Sequence, residues 1–174
     1  SSVILSLILS AYIFVYKQED VFLTNGQATL WDTKTVEIAG EICADCDTDE
    51  EKVKAIYEWM IHNFEYDYEY NPVIQYFNIH KTLRTHKGVC YDFAHLFASI
   101  CRSHNIPCYV VDGDKRENVQ YHHTWNRVYF NGSWWNVDIT FDTIQIQNKD
   151  ELYGFREINN AYLLDKEYYI TKIY

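Results

Sequence analysis

An α+β fold, with helices leading and antiparallel strands following, is predicted by three features of the sequence. Between residues 33 and 103, apolar residues recur every three to four positions, as on one face of a helix. From Ile106 onward that spacing gives way to short runs rich in β-branched and aromatic residues. Two of these runs flank Asn131-Gly132, the strongest short hairpin signal. Helices followed by strands, rather than alternating with them, build an α+β layout.

The elements follow in order. Val3 to Tyr16, "VILSLILSAYIFVY", is apolar with serines as its only polar breaks, and its 14 residues are few for a membrane span. It lacks the basic flank and small-residue cleavage site of an export signal. It reads as an ordinary packed element, with a membrane or export remnant as the alternative. Any membrane anchoring is expected only through residues 3–16. "WDTKTVEIAGEIC" predicts a short helix capped by Asp32 or Thr33, with Val36, Ala39, Ile42 and Cys43 on one face. In "DTDEEKVKAIYEWMIHNF", Thr48 and Glu51 fit a capping box. Val53, Ile56, Tyr57, Met60, Ile61 and Phe64 then give an amphipathic helix. The acidic residues from Asp47 to Glu51 suit that helix's positive end.

Asn71-Pro72 breaks the pattern, and a short helix is expected near Ile79 to Thr85. The next helix runs from Cys90 to about Ser103, burying Phe93, Leu96, Phe97, Ile100 and Cys101. Asn105 suits the left-handed residue that ends it, and Pro107 follows as a stop. "IPCYVVDG", "YHHTWNRVYF" and "SWWNVDITF" are expected strands, and one more is expected near Tyr168 to Ile173.

Composition narrows the function classes. The 174 residues suggest a single domain covering the whole chain. With 48% hydrophobic and 17% aromatic residues, a disordered chain is excluded. A net charge of -10 argues against nucleic acid as a partner, because phosphates would be repelled. The five cysteines are an odd number, so at least one stays unpaired. Cys43 and Cys46 form a lone C-x-x-C with no second pair to complete a zinc set, and read as two ordinary thiols or one local disulfide. No metal and no cofactor is expected.

The chemistry centres on Cys90. A helix start usually carries Ser, Thr, Asp or Asn. A thiol there sits over free backbone N–H groups at the positive end of the helix dipole, which stabilises a thiolate. Gly88, two residues earlier, permits a tight turn and close approach of another chain. The Cys90 N–H is itself available to a developing oxyanion.

A base comes from the hairpin. A two-residue turn at Asn131-Gly132 pairs Phe130 with Ser133, hence Trp125 with Asp138 and His123 with Thr140. His123, Trp125, Arg127, Tyr129, Trp134, Asn136 and Asp138 then share one face. His123 and Asp138 are diagonal neighbours roughly 7 Å apart at the backbone. Parity selects His123 over His122 but leaves Asp138 and Asp142 both open. Carboxylate, imidazole and thiol in that order activate a nucleophile.

These residues carry a resemblance. "GVCYDFAHLFASICRSHNIPCYVVDG" followed by "HHTWNRVYFNGSWWNVDITFD" is similar to the transglutaminase-like superfamily, in particular its compact bacterial members. The matching motif is Gly88-Val89-Cys90 at a helix start, His123-Thr124-Trp125 in a strand, and Asp138 after an aromatic-rich strand. "EEKVKAIYEWMIHNFEYD" and "NAYLLDKEYY" resemble the flanking segments, so the likeness spans about residues 33 to 170. Residues 1–32 are an extension outside it. Asn105 stands where the family usually has Gly.

The resemblance implies a papain-like core with Cys90 as nucleophile, His123 as base and Asp138 as its orienting carboxylate, leaving Asp142 a structural role. It implies acyl transfer on a peptide or protein amide through a thioester. Hydrolysis by a protease, peptidase or deamidase is expected ahead of glutamine–lysine cross-linking, since a small domain has limited room for an acceptor. A non-catalytic peptide-binding module on the same fold is the alternative from another class. Tyr66, Tyr68 and Tyr76 precede the Cys90 helix and offer phenolic oxyanion donors. Trp125, Trp134 and Tyr129 suggest a cleft for a peptide chain. The acidic chain and the possible export remnant favour the cell envelope or exterior over the cytoplasm.

Overall fold

The computed structural model describes residues 31–71, 79–158 and 167–173. The apolar stretch 3–16 and Tyr76 lie outside the described residues.

Helix α1 (Thr33–Ile42) opens with Asp32 as its cap, whose carboxylate accepts from Lys34 and Thr35 N–H. Thr35 and Ala39 are buried, while Val36 is exposed. Ala39, Cys43 and the partly buried Ile42 lie on the core as expected; Val36 alone of the four departs, and the adjacent Thr35 turns inward, its hydroxyl bonding the Asp32 backbone. Helix α2 (Asp49–Asn63) carries the expected capping box: Glu51 N–H donates to Thr48 Oγ1 and Thr48 N–H to Glu51 Oε2. Its apolar residues Val53, Ile56, Tyr57, Met60 and Ile61 are all buried.

Strand β1 (Glu65–Tyr66) pairs in parallel with β2 (Lys87–Gly88), which follows helix α3 (Ile79–Thr85). Helix α4 (Cys90–Ser103) is the centre of the molecule. Every residue from Asp92 to Arg102 is buried, so the helix is enclosed rather than one-sided. It packs against α1, α2 and α3 and against the sheet. Asn105 ends the following turn with φ 59°, the expected left-handed residue.

The five-stranded sheet has the order β6-β5-β4-β3-β7. It is built from β3 (Cys108–Lys115), β4 (Asn118–Phe130), β5 (Ser133–Val137), β6 (Arg156–Glu157) and β7 (Tyr168–Ile173). Asn131 and Gly132 both take positive φ, and Phe130 pairs with Ser133 as expected. The expected register then holds as far as Asn126 opposite Val137.

Beyond Val137 the expectation fails. "ITF" is not strand but the first turn of helix α5 (Ile139–Asn148), and Asp138 is its cap, accepting from Phe141 N–H at 3.0 Å. His123 consequently has no partner on the β5 side; its ladder partner is Gly113 on the other neighbour, β3. The β-branched Ile139 and Thr140 favour a strand locally. The competing signal was an Asp at the cap position, and the cap prevails.

Two side-chain ties hold the sheet on α4. Asn126 Nδ2 donates to the Ala94 carbonyl at 2.8 Å, and Arg102 Nε to the Cys108 carbonyl at 2.8 Å. Gly113 allows Trp125 to lie flat across β3. A Cβ at position 113 would stand 2.8 Å from Trp125 Cη2 and 3.0 Å from the Tyr169 carbonyl. Neither a buried indole nor a strand backbone moves cheaply, so Gly113→Ala is expected to destabilise by about 1–3 kcal/mol. A urea midpoint equal to wild type would refute this.

Candidate active site

The site is built by three local structures that meet at one end of α4. The first is the turn into that helix. Cys90 is its first residue, Val89 its cap position, and Asp92 Oδ2 accepts the Val89 N–H at 2.9 Å. The Asp92 carboxylate thus holds the N–H of the cap residue, while the Val89 side chain caps none of the helix's own first N–H groups, which stay directed at the Cys90 end. Gly88 is buried against Asp92, and a Cβ there would lie 2.7 Å from Asp92 Cβ and 3.0 Å from Phe93. The second local structure is β1, whose pairing sets Tyr66 beside Gly88; the Asp67 N–H also donates to the Gly88 carbonyl at 2.8 Å. The third is the end of the β4–β5 hairpin and the start of α5.

There His123 Nε2 and Asp138 Oδ2 lie 2.5 Å apart. Asp138 is buried and His123 nearly so. Asp138 uses its other oxygen to cap α5, so both oxygens are committed and its rotamer is fixed. With Nε2 engaged, Nδ1 remains for the thiol, and the Cys90 thiol is near enough to perturb the imidazole. Burial alone would push His123 downward. The charge and hydrogen bond of Asp138, followed by those of Cys90, overcome it and raise the imidazole from 6.5 to about 10.

That shift has a stability consequence. A histidine raised on folding contributes stability that is complete below its unfolded value and lost as pH rises through the folded one. The window here runs from about 6.5 to about 10. His123→Gln is therefore expected to lower the urea midpoint most below pH 6.5 and to converge on wild type above pH 10. A deficit independent of pH would point to lost packing instead.

Tyrosines surround the thiol. Tyr66, Tyr70 and Tyr168 are each raised by burial first. The charge of Cys90 adds next for Tyr66, and after nearby carboxylates for the other two. Raised phenols stay protonated and remain donors. Tyr168 also packs its ring 5.6 Å from both His123 and Trp125.

Cys90, His123, Asp138 and Tyr66 line one cavity of about 450 Å³ with Tyr168, Phe141 and others. A second cavity of about 720 Å³ adjoins it at Tyr66 and includes Tyr68, Asp67 and Lys81. Tyr68 is largely exposed, lines that second cavity rather than the first, and meets the Tyr66 ring at 4.9 Å.

The aromatic residues expected to form a peptide cleft divide. Trp125 is buried in a small cluster with Val111 and stacks 6.1 Å from His123, supporting the imidazole from beneath. Trp134 and Tyr129 do not line the catalytic cavity. They group with Tyr109 farther along the sheet, and Tyr109 and Trp134 line a separate hollow of about 330 Å³. They share a sheet face with His123, but six residues of strand put Tyr129 about 20 Å away from it.

Tyr70, Tyr168, Phe141, Ile144 and Tyr153 were not singled out from the sequence. No local pattern marks them; Tyr168 reaches the site because β7 pairs with β3 over a long sequence separation. Asp142 is wholly buried and accepts from Tyr57 Oη, Tyr153 N–H and Gly154 N–H, a structural knot between α2, α5 and the loop after α5. Cys43 is buried and pushed up to about 11, first by burial and then by Cys46; among the described residues all five cysteines are free thiols.

The model of the transglutaminase-like superfamily matches residues 36–139, a span that contains Cys90, His123 and Asp138. Kyphoscoliosis peptidase of Mus musculus is 29% identical over 130 residues, which cover 68% of this chain and 20% of that protein. The chain thus spans about a fifth of that relative's length. A provisionally named cysteine protease from Cytophaga hutchinsonii has a similar structure, with TM-score 0.58 and 23% identity over 88% of this chain and 53% of the other. So has the periplasmic domain of TgpA from Pseudomonas aeruginosa, with TM-score 0.58 and 17% identity over 78% and 50%. The fold is accordingly the mixed helix and antiparallel-sheet architecture of these domains, and the chain belongs to the transglutaminase-like superfamily.

Proposed function

We infer that the chain catalyses acyl transfer on peptide or protein amides, with Cys90 as nucleophile, His123 as general base and acid, and Asp138 as the orienting carboxylate. The observation that carries this reading is the chain of contacts from Asp138 through His123 to Cys90, opening on one cavity. Attack of the thiolate on the amide carbonyl forms the carbon–sulfur bond. The oxyanion is received by the Cys90 N–H at the helix start, with Tyr66 as the second donor. The His123 imidazolium then gives its proton to the departing amine, leaving a thioester. A general acid of this kind must be protonated before the amine leaves, and a histidine raised to about 10 is protonated at neutral pH.

Water is the favoured acceptor, on the strength of the peptidase and protease names carried by the relatives above. The adjoining second cavity at Tyr66 supports the other reading, cross-linking, by giving an amine-bearing acceptor room to approach. Limited space is thus no argument against it. Incubation with an activated acyl ester, with and without a primary amine, separates the two by product mass. Hydrolysis predicts free acid as the main product even with amine present; predominance of the amide would establish transfer instead. The periplasmic origin of the TgpA domain supports placing the chain outside the cytoplasm. Among the described residues no helix is long and apolar enough to cross a membrane.

A further inference from the structure

We propose that the wall of the catalytic cavity formed by Phe141, Ile144 and Tyr153 is a subsite for a bulky apolar side chain of the acyl-donor peptide. The proposal rests on the acyl-transfer reading and adds to it the class of residue selected beside the attacked carbonyl.

Phe141 is the starting point. It is 45% exposed, and among the described residues it is the one exposed large apolar side chain that lines this cavity. Ile144 lies three residues on, hence on the same side of α5, and also lines the cavity. Tyr153 closes the wall, meeting Phe141 edge-on at 6.2 Å. The lining also carries the charged Lys115 and Glu167 and the polar His122. A cavity that combines apolar and polar groups orients a peptide rather than merely admitting it.

The wall is also held rigidly, as a specificity surface must be. Asp138 Oδ1 fixes the Phe141 N–H, while Oδ2 of the same carboxylate meets His123. Asp142 fixes the Tyr153 and Gly154 N–H groups. The residue that would read the substrate and the residue that would protonate its leaving amine are therefore set by the two oxygens of one side chain. Beyond its contact with Tyr153, a phenylalanine left 45% exposed keeps much of its apolar surface outside the fold. Placed beside a nucleophile, it offers a surface for an apolar group to cover.

The test compares the rate at which Cys90 is labelled by N-acetyl-phenylalanyl and N-acetyl-glycyl chloromethyl ketones, each divided by the iodoacetamide rate of the same variant. Labelling needs binding beside Cys90 but no turnover. Wild type is expected to favour the phenylalanyl reagent about 10- to 100-fold. Phe141→Ser should remove most of that preference and Phe141→Leu should keep most of it. Equal rates in wild type, or a preference that survives Phe141→Ser, would overturn the subsite. In parallel, turnover of the matching p-nitrophenyl esters reports on acyl transfer itself. Preferential labelling without any turnover would keep the subsite and sink the acyl-transfer reading; turnover without preference would do the reverse.

Discussion

Cys90→Ala is expected to eliminate covalent acylation and lower turnover by on the order of 10⁴-fold or more, with little change in fold. The thiol is the atom that would bond the acyl group, and no other cysteine can substitute. Cys43, Cys101 and Cys108 are buried, Cys101 is raised well above its ordinary value by burial and by Cys108, and the partly buried Cys46 does not line the cavity that holds His123. Cys90 itself is only partly buried, so losing the sulfur leaves no sizeable cavity, and stability should stay within about 1 kcal/mol. Intact-mass measurement after mixing with an activated ester reads the effect directly. Wild type should gain one acyl mass and the variant none. An equal mass gain in the variant would move the nucleophile elsewhere and end the triad reading.

The second large effect separates two duties of one carboxylate. Asp138→Asn should reduce kcat/KM by about 10²- to 10⁴-fold, because the charge that holds the imidazolium is gone. The basic limb of the pH profile should also move below the value of about 10 set in wild type, since Asp138 is the chief group raising His123. Asparagine still caps a helix about as well as aspartate, whereas alanine does not. Asp138→Ala should therefore be as inactive as the Asn variant yet less stable by about 1 kcal/mol, the worth of the lost cap on α5. Urea unfolding of the two variants, side by side with their activities, checks this. Equal stabilities would mean that the cap observed at Phe141 N–H carries no weight.

Much of this arrangement was legible in the sequence. The capping box at Thr48 and Glu51, the helix start at Cys90 and the Asn131-Gly132 turn are local signals, each set by a few adjacent residues, and each lies where expected. The register counted from that turn put His123 and Asp138 on one face, and they do meet. They meet for a different reason, however. Counting assumed a strand through Phe141, but Asp138 leaves the strand to cap a helix and reaches His123 from a corner. The residues that complete the cavity were not legible. Tyr168 arrives on β7, and Tyr153 through a knot on buried Asp142. Such placements depend on contacts distant in sequence, and no local pattern encodes them. Trp134 and Tyr129 erred in the opposite direction: parity fixes a face of a sheet, not a location along it.

The double engagement of Asp138 has a consequence for when the protein becomes reactive. Its carboxylate is locked only after α5 has formed behind it and the β4–β5 hairpin has closed in front. Until both have happened, the imidazole has no anchored partner. A nascent or partly opened chain would hold a thiol at the tip of α4 with nothing to switch it on. On the acyl-transfer reading, assembly and arming thus become a single event, and a half-made molecule is spared from attacking its own backbone or that of its neighbours.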